Sequence, residues 1–413
     1  MLSDIENKKI LLVGYGGGHV KILIPIYSAL KEIGLAPIMM GLTTAQPILD
    51  EIGIPYFSYR DFTEGTQIDK VNHYGEILAK RFHNPEIGIS YDESVAYLGV
   101  NFLELVSEKG LDNANKLVDQ KGRHAFLPKK FMRSVIEEVS PSLVITTNSP
   151  RSEHAAILAA KSLKIPTLSI EDLWGLSNLC AVCADIVCVP SVISKDNLIS
   201  KGANSKSIFV TGIVNSEQNL ARSSIQANQP IKESQPTILW AVQHGYYLLE
   251  KQKIHLIGDD EMSQDLHEIA LAAKKIGAKL LVRPHPNQNA EFLRKEVLHY
   301  SDQNVEISEG CPAEVDLSRS DITVGYTSTV LLESVLHGIP IVVLQPRFGK
   351  SDMPLPEYGI GLQVSKPGDL VHHFKYLLSN TSYKEKLRVK VKEFFPDQDK
   401  SVEKIVNLAQ SLL

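Results

Sequence analysis

The sequence predicts two α/β halves, each a parallel sheet covered on both faces by helices. Three observations carry this. Short apolar runs bounded by turn residues alternate with helix-length patterns along most of the chain. The alternation stops in a polar stretch at 215–235, rich in Gln, Ser and Asn, and then starts again. The length, 413 residues, exceeds what one hydrophobic core usually supports.

Lys9–Tyr15 (KILLVGY) reads as a buried first strand, followed by a glycine loop, a helix to about Gly34 and a second strand over 36–41. Residues 61–140 break the rhythm with at least two helical patterns and are read as a helical insertion. Strand-like runs return at 142–147, 165–170, 184–190 and 207–212, with a helix over 152–163. Beyond the polar stretch come strands at 237–243, 279–283, 304–308, 321–325 and 339–346, with helices near 261–276, 290–300 and from 328. Helical patterns near 369–378 and 382–411 close the chain. The expected domains are therefore 1–220, 221–385 and a C-terminal helix at 386–413 that packs back on the first. Pro25 argues that the first helix starts nearer Leu23, where proline is tolerated.

Composition excludes several function classes. Lys+Arg 43 against Asp+Glu 48, with no basic run, leaves no footprint for a nucleic-acid partner. The start is acidic and its apolar run is short, unlike an export signal, and no apolar run is long enough to span a bilayer. A cytoplasmic protein is expected, with peripheral membrane contact left open. Cys180, Cys183 and Cys188 cluster in an apolar segment without histidine, and Cys311 is far away, so they read as small hydrophobes rather than a zinc site. No metal-binding acidic pair stands out, and neither a metal nor a cofactor is expected.

Three constellations carry chemistry. Gly16, Gly17, Gly18 and His19 stand where the first strand meets the first helix. Glycines allow a tight turn there, and the helix start offers free N–H groups to an anion. A dinucleotide fingerprint would need a third glycine where His19 stands, and a P-loop would need Gly-Lys-Ser/Thr, so neither fits. His19 is a candidate general base, and Asp172, after a first-half strand, is the second. In the second half, Arg283 and His285 emerge at the end of a strand, two residues apart, and suit phosphate oxygens. Gln243 and His244 follow the first strand of that half as candidates for a phosphate-facing loop. The third constellation is Gly325, Tyr326, Thr327, Ser328, Thr329 and Glu333: hydroxyls suited to a helix N-cap, then a carboxylate on a largely apolar helix. A carboxylate in such surroundings needs partners, and the two hydroxyls of a ribose would serve.

These segments resemble glycosyltransferases of the GT-B fold. Gly16-Gly17-Gly18-His19 is similar to the N-terminal loop of the N-acetylglucosaminyltransferases that make peptidoglycan lipid intermediates, and GYTSTVLLESVLHGIPIVVLQP is similar to that superfamily's donor-binding segment. His285-Pro286 followed by Ser328-Thr329 also resembles the paired motifs of bacterial sialyltransferases and related capsule enzymes. The resemblance implies two Rossmann-like domains facing a central cleft, with Glu333 on the ribose, Ser328 and Thr329 near the phosphates and His285 on the donor phosphate. The expected activity is metal-independent transfer, by direct displacement, from a UDP- or CMP-sugar donor to a glycan, lipid-linked or small-molecule acceptor in cell-surface glycan or capsular polysaccharide synthesis. Fold analogy licenses that reaction type. Two alternatives stand beside it: a hydrolysing nucleotide-sugar 2-epimerase on the same fold, and a non-catalytic protein that binds nucleotide sugars.

Overall fold

The computed structural model describes residues 7–63, 67–85, 88–172, 174–175, 183–214, 235–243, 247–250, 253–285, 290–300, 304–345, 353–364, 366, 368–396, 398 and 400–413, with backbone alone at 247–250 and 253–256. The chain divides into two units: Met1–Asn215 with Pro396–Leu413, and Ser216–Phe395.

The first unit is built on seven parallel strands: β1 (Lys9–Tyr15), β2 (Ala36–Leu42), β3 (Tyr56–Phe57), β4 (Leu143–Thr146), β5 (Thr167–Ile170), β6 (Ile186–Val189) and β7 (Ile208–Val210). Their order is β3-β2-β1-β4-β5-β6-β7, so the sheet grows one way from β1 and then reverses at β4. Successive strand residues face opposite sides, and β1 serves both. Leu11 and Val13 pack with helices Tyr91–Lys109 and Lys129–Val139, while Ile10 and Leu12 pack with Val20 and Leu23 of helix Gly17–Glu32. On the latter side lie also Ile405, Val406 and Ala409 of the C-terminal helix Ser401–Ser411.

The helical segment expected at 61–140 lies between β3 and β4 and holds helices Ile68–Phe82, Tyr91–Lys109, Leu111–Lys121 and Lys129–Val139. Helices Ile68–Phe82 and Tyr91–Lys109 cross through two glycines. A Cβ on Gly75 would stand 2.2 Å from the Val95 carbonyl oxygen, and one on Gly99 would stand 2.0 Å from that of Val71. The buried Glu104 accepts the Lys130 and Phe131 amides at 2.8 and 3.1 Å, placing a carboxylate at the start of helix Lys129–Val139.

The second unit has six parallel strands: β8 (Thr237–Ala241), β11 (Lys279–Arg283), β12 (Val305–Ile307), β13 (Ile322–Gly325), β14 (Ile341–Val343) and β15 (Leu362–Gln363). Between β8 and β11 lies an antiparallel hairpin of β9 (Tyr247–Glu250) and β10 (Lys253–Leu256). The six-stranded order, β12-β11-β8-β13-β14-β15, again reverses beside its first strand. Helices Asp259–Lys275 and Asp369–Ser379 supply Leu266, Ile269 and Phe374 to one face of the sheet.

Two helix boundaries differ from the sequence expectation. The first helix starts at Gly17 and carries Pro25 in its interior. The carbonyl that loses its partner belongs to the exposed Lys21, where water can take the bond. The pattern at 382–411 is two helices, Thr381–Phe394 and Ser401–Ser411, parted at Pro396, and they belong to different units. Among the described residues, no helix is long and apolar enough to cross a membrane.

Candidate functional site

In open parallel sheets, ligands bind beyond the carboxyl ends of the strands where the strand order reverses. Each unit has such a switch point, between β1 and β4 in the first and between β8 and β13 in the second. The described residues singled out in the sequence lie at or beside these strand ends.

In the first unit, β1 runs into Gly16, which holds φ 99°, a value costly for residues with a side chain. Gly17 lies so close to helix Gln46–Ile52 that a Cβ would stand 2.9 Å from Ile48, and its amide donates to Thr44 Oγ1 at 3.0 Å. Gly18 faces open space. His19 follows in the first turn of the helix, and its Nδ1 meets Thr147 Oγ1 beyond the end of β4. Thr147 donates in turn to Glu153 Oε2 at 2.7 Å, so its oxygen is left to accept from His19 Nδ1.

Glu153 organises this switch point. It is fully buried, and it accepts the Tyr15 amide at 2.6 Å and the Ser149 amide at 2.9 Å. Its Oε1 lies 3.4 Å from His19 Nδ1. Burial alone would lower the His19 pKa. The Glu153 charge and hydrogen bond, helped by Asp172 and Glu171, override it and raise the value to about 9. At neutral pH His19 is therefore an imidazolium, anchored through Nδ1, whose Nε2 has no hydrogen-bond partner among the described residues. General-base action needs the neutral ring, which this surrounding disfavours.

Asp172 is close enough to His19 for each to shift the other's titration. Burial raises its pKa, while the His19 charge and Asn148 hold it back. Asn148 Nδ2 bridges Glu171 Oε1 at 2.6 Å and Asp172 Oδ1 at 2.5 Å. The structure thus brings His19 and Asp172 together, and it adds Glu153, which the sequence reading missed. The signal for Glu153 was weak: an acid in the first turn of a helix after a strand is ordinary N-terminal charge.

In the second unit, Gln243 at the end of β8 and Thr327 after β13 tie the switch point shut. Gln243 Oε1 accepts the Thr327 amide at 2.7 Å, and its Nε2 donates to Thr327 Oγ1 at 3.1 Å. Gly325 ends β13 and would put a Cβ 3.1 Å from the Ala241 carbonyl. Ser328 caps helix Thr329–Leu336, accepting from the Val330 amide, and Thr329 stands exposed in the first turn. Arg283 is committed to its own unit: it donates to Asp316 Oδ2 at 2.5 Å and to the Cys311 carbonyl at 2.8 Å. Asp316 is buried and also accepts from Ser308 at 2.7 Å. His285 is exposed, and burial of its ring lowers its pKa. His244 lies outside the described residues.

Glu333 is half-buried, and its carboxylate has no hydrogen bond or ion pair among the described residues. Burial first, then the Glu314 charge, raise its pKa to about 7 against the pull of Arg283. An acid so placed is electrostatically unsatisfied, which hydroxyl donors from a ligand would correct. Among the described residues no group of His, Cys, Asp and Glu could hold a metal ion.

No family model matches the chain, and no curated protein matches it in sequence. Its fold is that of solved enzymes that handle UDP-sugars. The UDP-GlcNAc 2-epimerase from Neisseria meningitidis bound to UDP-GlcNAc superposes with a TM-score of 0.61 at 16% identity, over 98% of this chain and 100% of that one. The enzyme of that name from Methanocaldococcus jannaschii, in complex with UDP-GlcNAc and UDP, gives 0.58 at 14% identity, over 98% and 99%. MurG from Acinetobacter baumannii gives 0.57 at 16% identity, over 98% and 99%. The GT-B class expected from the motifs is thus the class observed, with two parallel-sheet α/β domains. The expected sugar transfer is corrected: UDP-GlcNAc 2-epimerases recur among the similar structures, and they favour the isomerase that the sequence reading ranked second. A short glycine loop with histidine was too local a resemblance to separate the two activities.

Proposed function

We propose that this chain binds a UDP-sugar and acts as a hydrolysing nucleotide-sugar 2-epimerase. The observation that carries the reading is the likeness along 98% of the chain to 2-epimerases crystallised with UDP-GlcNAc or UDP, joined to an unsatisfied carboxylate, Glu333, beside the switch point of the second unit. Glu333 takes the ribose hydroxyls, and the Ser328-capped start of helix Thr329–Leu336 takes the diphosphate. Arg283, held by Asp316, adds positive charge near Glu333.

Inverting C2 of such a sugar needs a base to remove its proton and an acid to return one to the opposite face. The C2 proton is not next to a carbonyl, so its loss is driven by departure of the diphosphate from C1. Water then adds its hydroxyl to C1 while an acid protonates C2, and the proton that the water sheds restores that acid, so UDP and the free 2-epimer are released. In this reading Asp172, with its raised pKa, is the base, and the imidazolium of His19 is the proton donor. Gly18, which faces open space, leaves room for a ligand beside His19, while Gly16 and Gly17 let the loop pack against Thr44 and Ile48.

The test is incubation of the chain with UDP-GlcNAc, following UDP by chromatography and the sugar by proton NMR. UDP together with a 2-epimerised sugar supports the proposal; unchanged UDP-GlcNAc refutes it. A thermal-shift panel of UDP, CMP, GDP and CDP checks the nucleotide separately. At one hundred times Kd a ligand adds about 2.7 kcal/mol to apparent stability, and only UDP is expected to raise Tm. Glu333→Ala should abolish that shift, whereas His19→Ala should keep the shift and lose turnover.

A further inference from the structure

Arg151 lies just past β4 in the first unit, and its guanidinium carbon sits 4.4 Å from the centroid of the Tyr15 ring. Its Nε is buried without a hydrogen-bond partner, and among the described residues it makes no ion pair. The nearest acid in sequence, Glu153, cannot serve, because both its oxygens are engaged by Tyr15, Thr147 and Ser149. From Tyr15 an aromatic chain runs through Tyr97, at 5.9 Å, to Phe126, at 6.1 Å. Phe126 directly follows the turn Gly122–Ala125, which carries Arg123 and His124. Arg123 is half-buried, His124 is exposed, and neither has a hydrogen-bonded or ionic partner for its side chain among the described residues. The charges of Arg151 and Arg123 both reach His124 and, after burial, help to hold it neutral.

Arg151 and Arg123 are like charges near a neutral histidine, and among the described residues no acid is paired with them. We propose that Arg151, Arg123 and His124 form a subsite of the first unit for the carboxylate of a sugar acid, as in a nucleotide-linked uronic acid. The stack on Tyr15 fixes the plane of the Arg151 guanidinium, and a fixed planar fork pairs with the two oxygens of a carboxylate. His124, neutral, offers an N–H without adding a third charge. This inference rests on the nucleotide-sugar reading and narrows its substrate.

Titration calorimetry of the full chain with UDP-N-acetylglucosamine and UDP-N-acetylglucosaminuronic acid tests it. The uronate should bind on the order of tenfold more tightly, the scale of one charge-assisted hydrogen-bonded pair. Arg151→Gln should erase that preference while leaving affinity for the neutral sugar within about twofold. Arg123→Gln, in a surface turn, should reduce the preference without risk to the fold, and Arg151→Lys should recover only part of it. Equal binding of the two sugars by the unaltered chain overturns the subsite and leaves the nucleotide-sugar reading standing; binding of neither overturns both. Inorganic pyrophosphate displacing the neutral sugar from the unaltered chain but not from Arg151→Gln would assign the cluster to a phosphate and overturn the carboxylate.

Discussion

Two residues show how this protein responds to pH: both bind a proton more tightly in the folded chain, in different pH windows, and both contributions fall as pH rises. His19 titrates near 9 when folded against an ordinary 6.5, so its bond to the Glu153 network contributes stability in full below about 6.5 and loses it as pH climbs through about 9. Glu153→Gln should flatten that part of the stability profile and bring the His19 resonance, followed by NMR titration, back toward its ordinary range. Glu333 titrates near 7 against an ordinary 4.5, so the folded chain binds the extra proton and loses stability as pH rises between those values. Glu333→Gln should raise Tm at pH 8 and leave it unchanged at pH 4, at the cost of UDP binding. His19, Asp172 and Glu333 were legible in the sequence because each stands at a strand end or on an apolar helix, where its polarity is out of place. Glu153 was not, because its role depends on Tyr15, 138 residues away along the chain. Arg283 shows the converse. A strand-end arginine was conspicuous, but its partner Asp316 sits on a helix, Ala313–Ser318, too short for a sequence pattern to announce.

At the level of elements, the crossing of helices Ile68–Phe82 and Tyr91–Lys109 depends on two absent side chains. Gly99→Ala places a methyl 2.0 Å from a backbone oxygen that has no rotamer to yield. The helices must part, and a loss of about 1–3 kcal/mol is expected in urea denaturation. An alanine on the same helix at the exposed Glu108 should cost less than about 0.5 kcal/mol. Neither glycine could be read this way beforehand, since glycine inside a helical pattern records only a weaker helix former. The strands were more legible. Both sheets are parallel and covered on two faces, so their strands are nearly uninterrupted apolar runs, and each run found in the sequence corresponds to a strand. Pro25 misled because its cost was weighed in isolation. Helix Gly17–Glu32 buries Val20, Leu23, Ile26, Tyr27 and Leu30 on both sides of it, and that burial outweighs one missing hydrogen bond.

Over the whole molecule, the chain leaves the first unit after Asn215 and returns at Pro396 to add helix Ser401–Ser411 to the first core. Ending the chain at Phe395 would strip Ile405 and Val406 from that core, and at roughly 1.5–3 kcal/mol for each buried side chain the first unit should lose about 3–6 kcal/mol, read as a lower urea midpoint. The same routing makes the second unit, as far as the first is concerned, one long loop. While Ser216–Phe395 is folded, the last helix is tethered through a compact body; once it unfolds, that helix must be recovered from the end of a wandering coil, and closing such a coil carries an entropic penalty. Denaturing the second unit therefore loosens the first by polymer statistics alone. A mutation at β8 or β13 should speed hydrogen exchange in helix Ser401–Ser411, even though the two segments share no core.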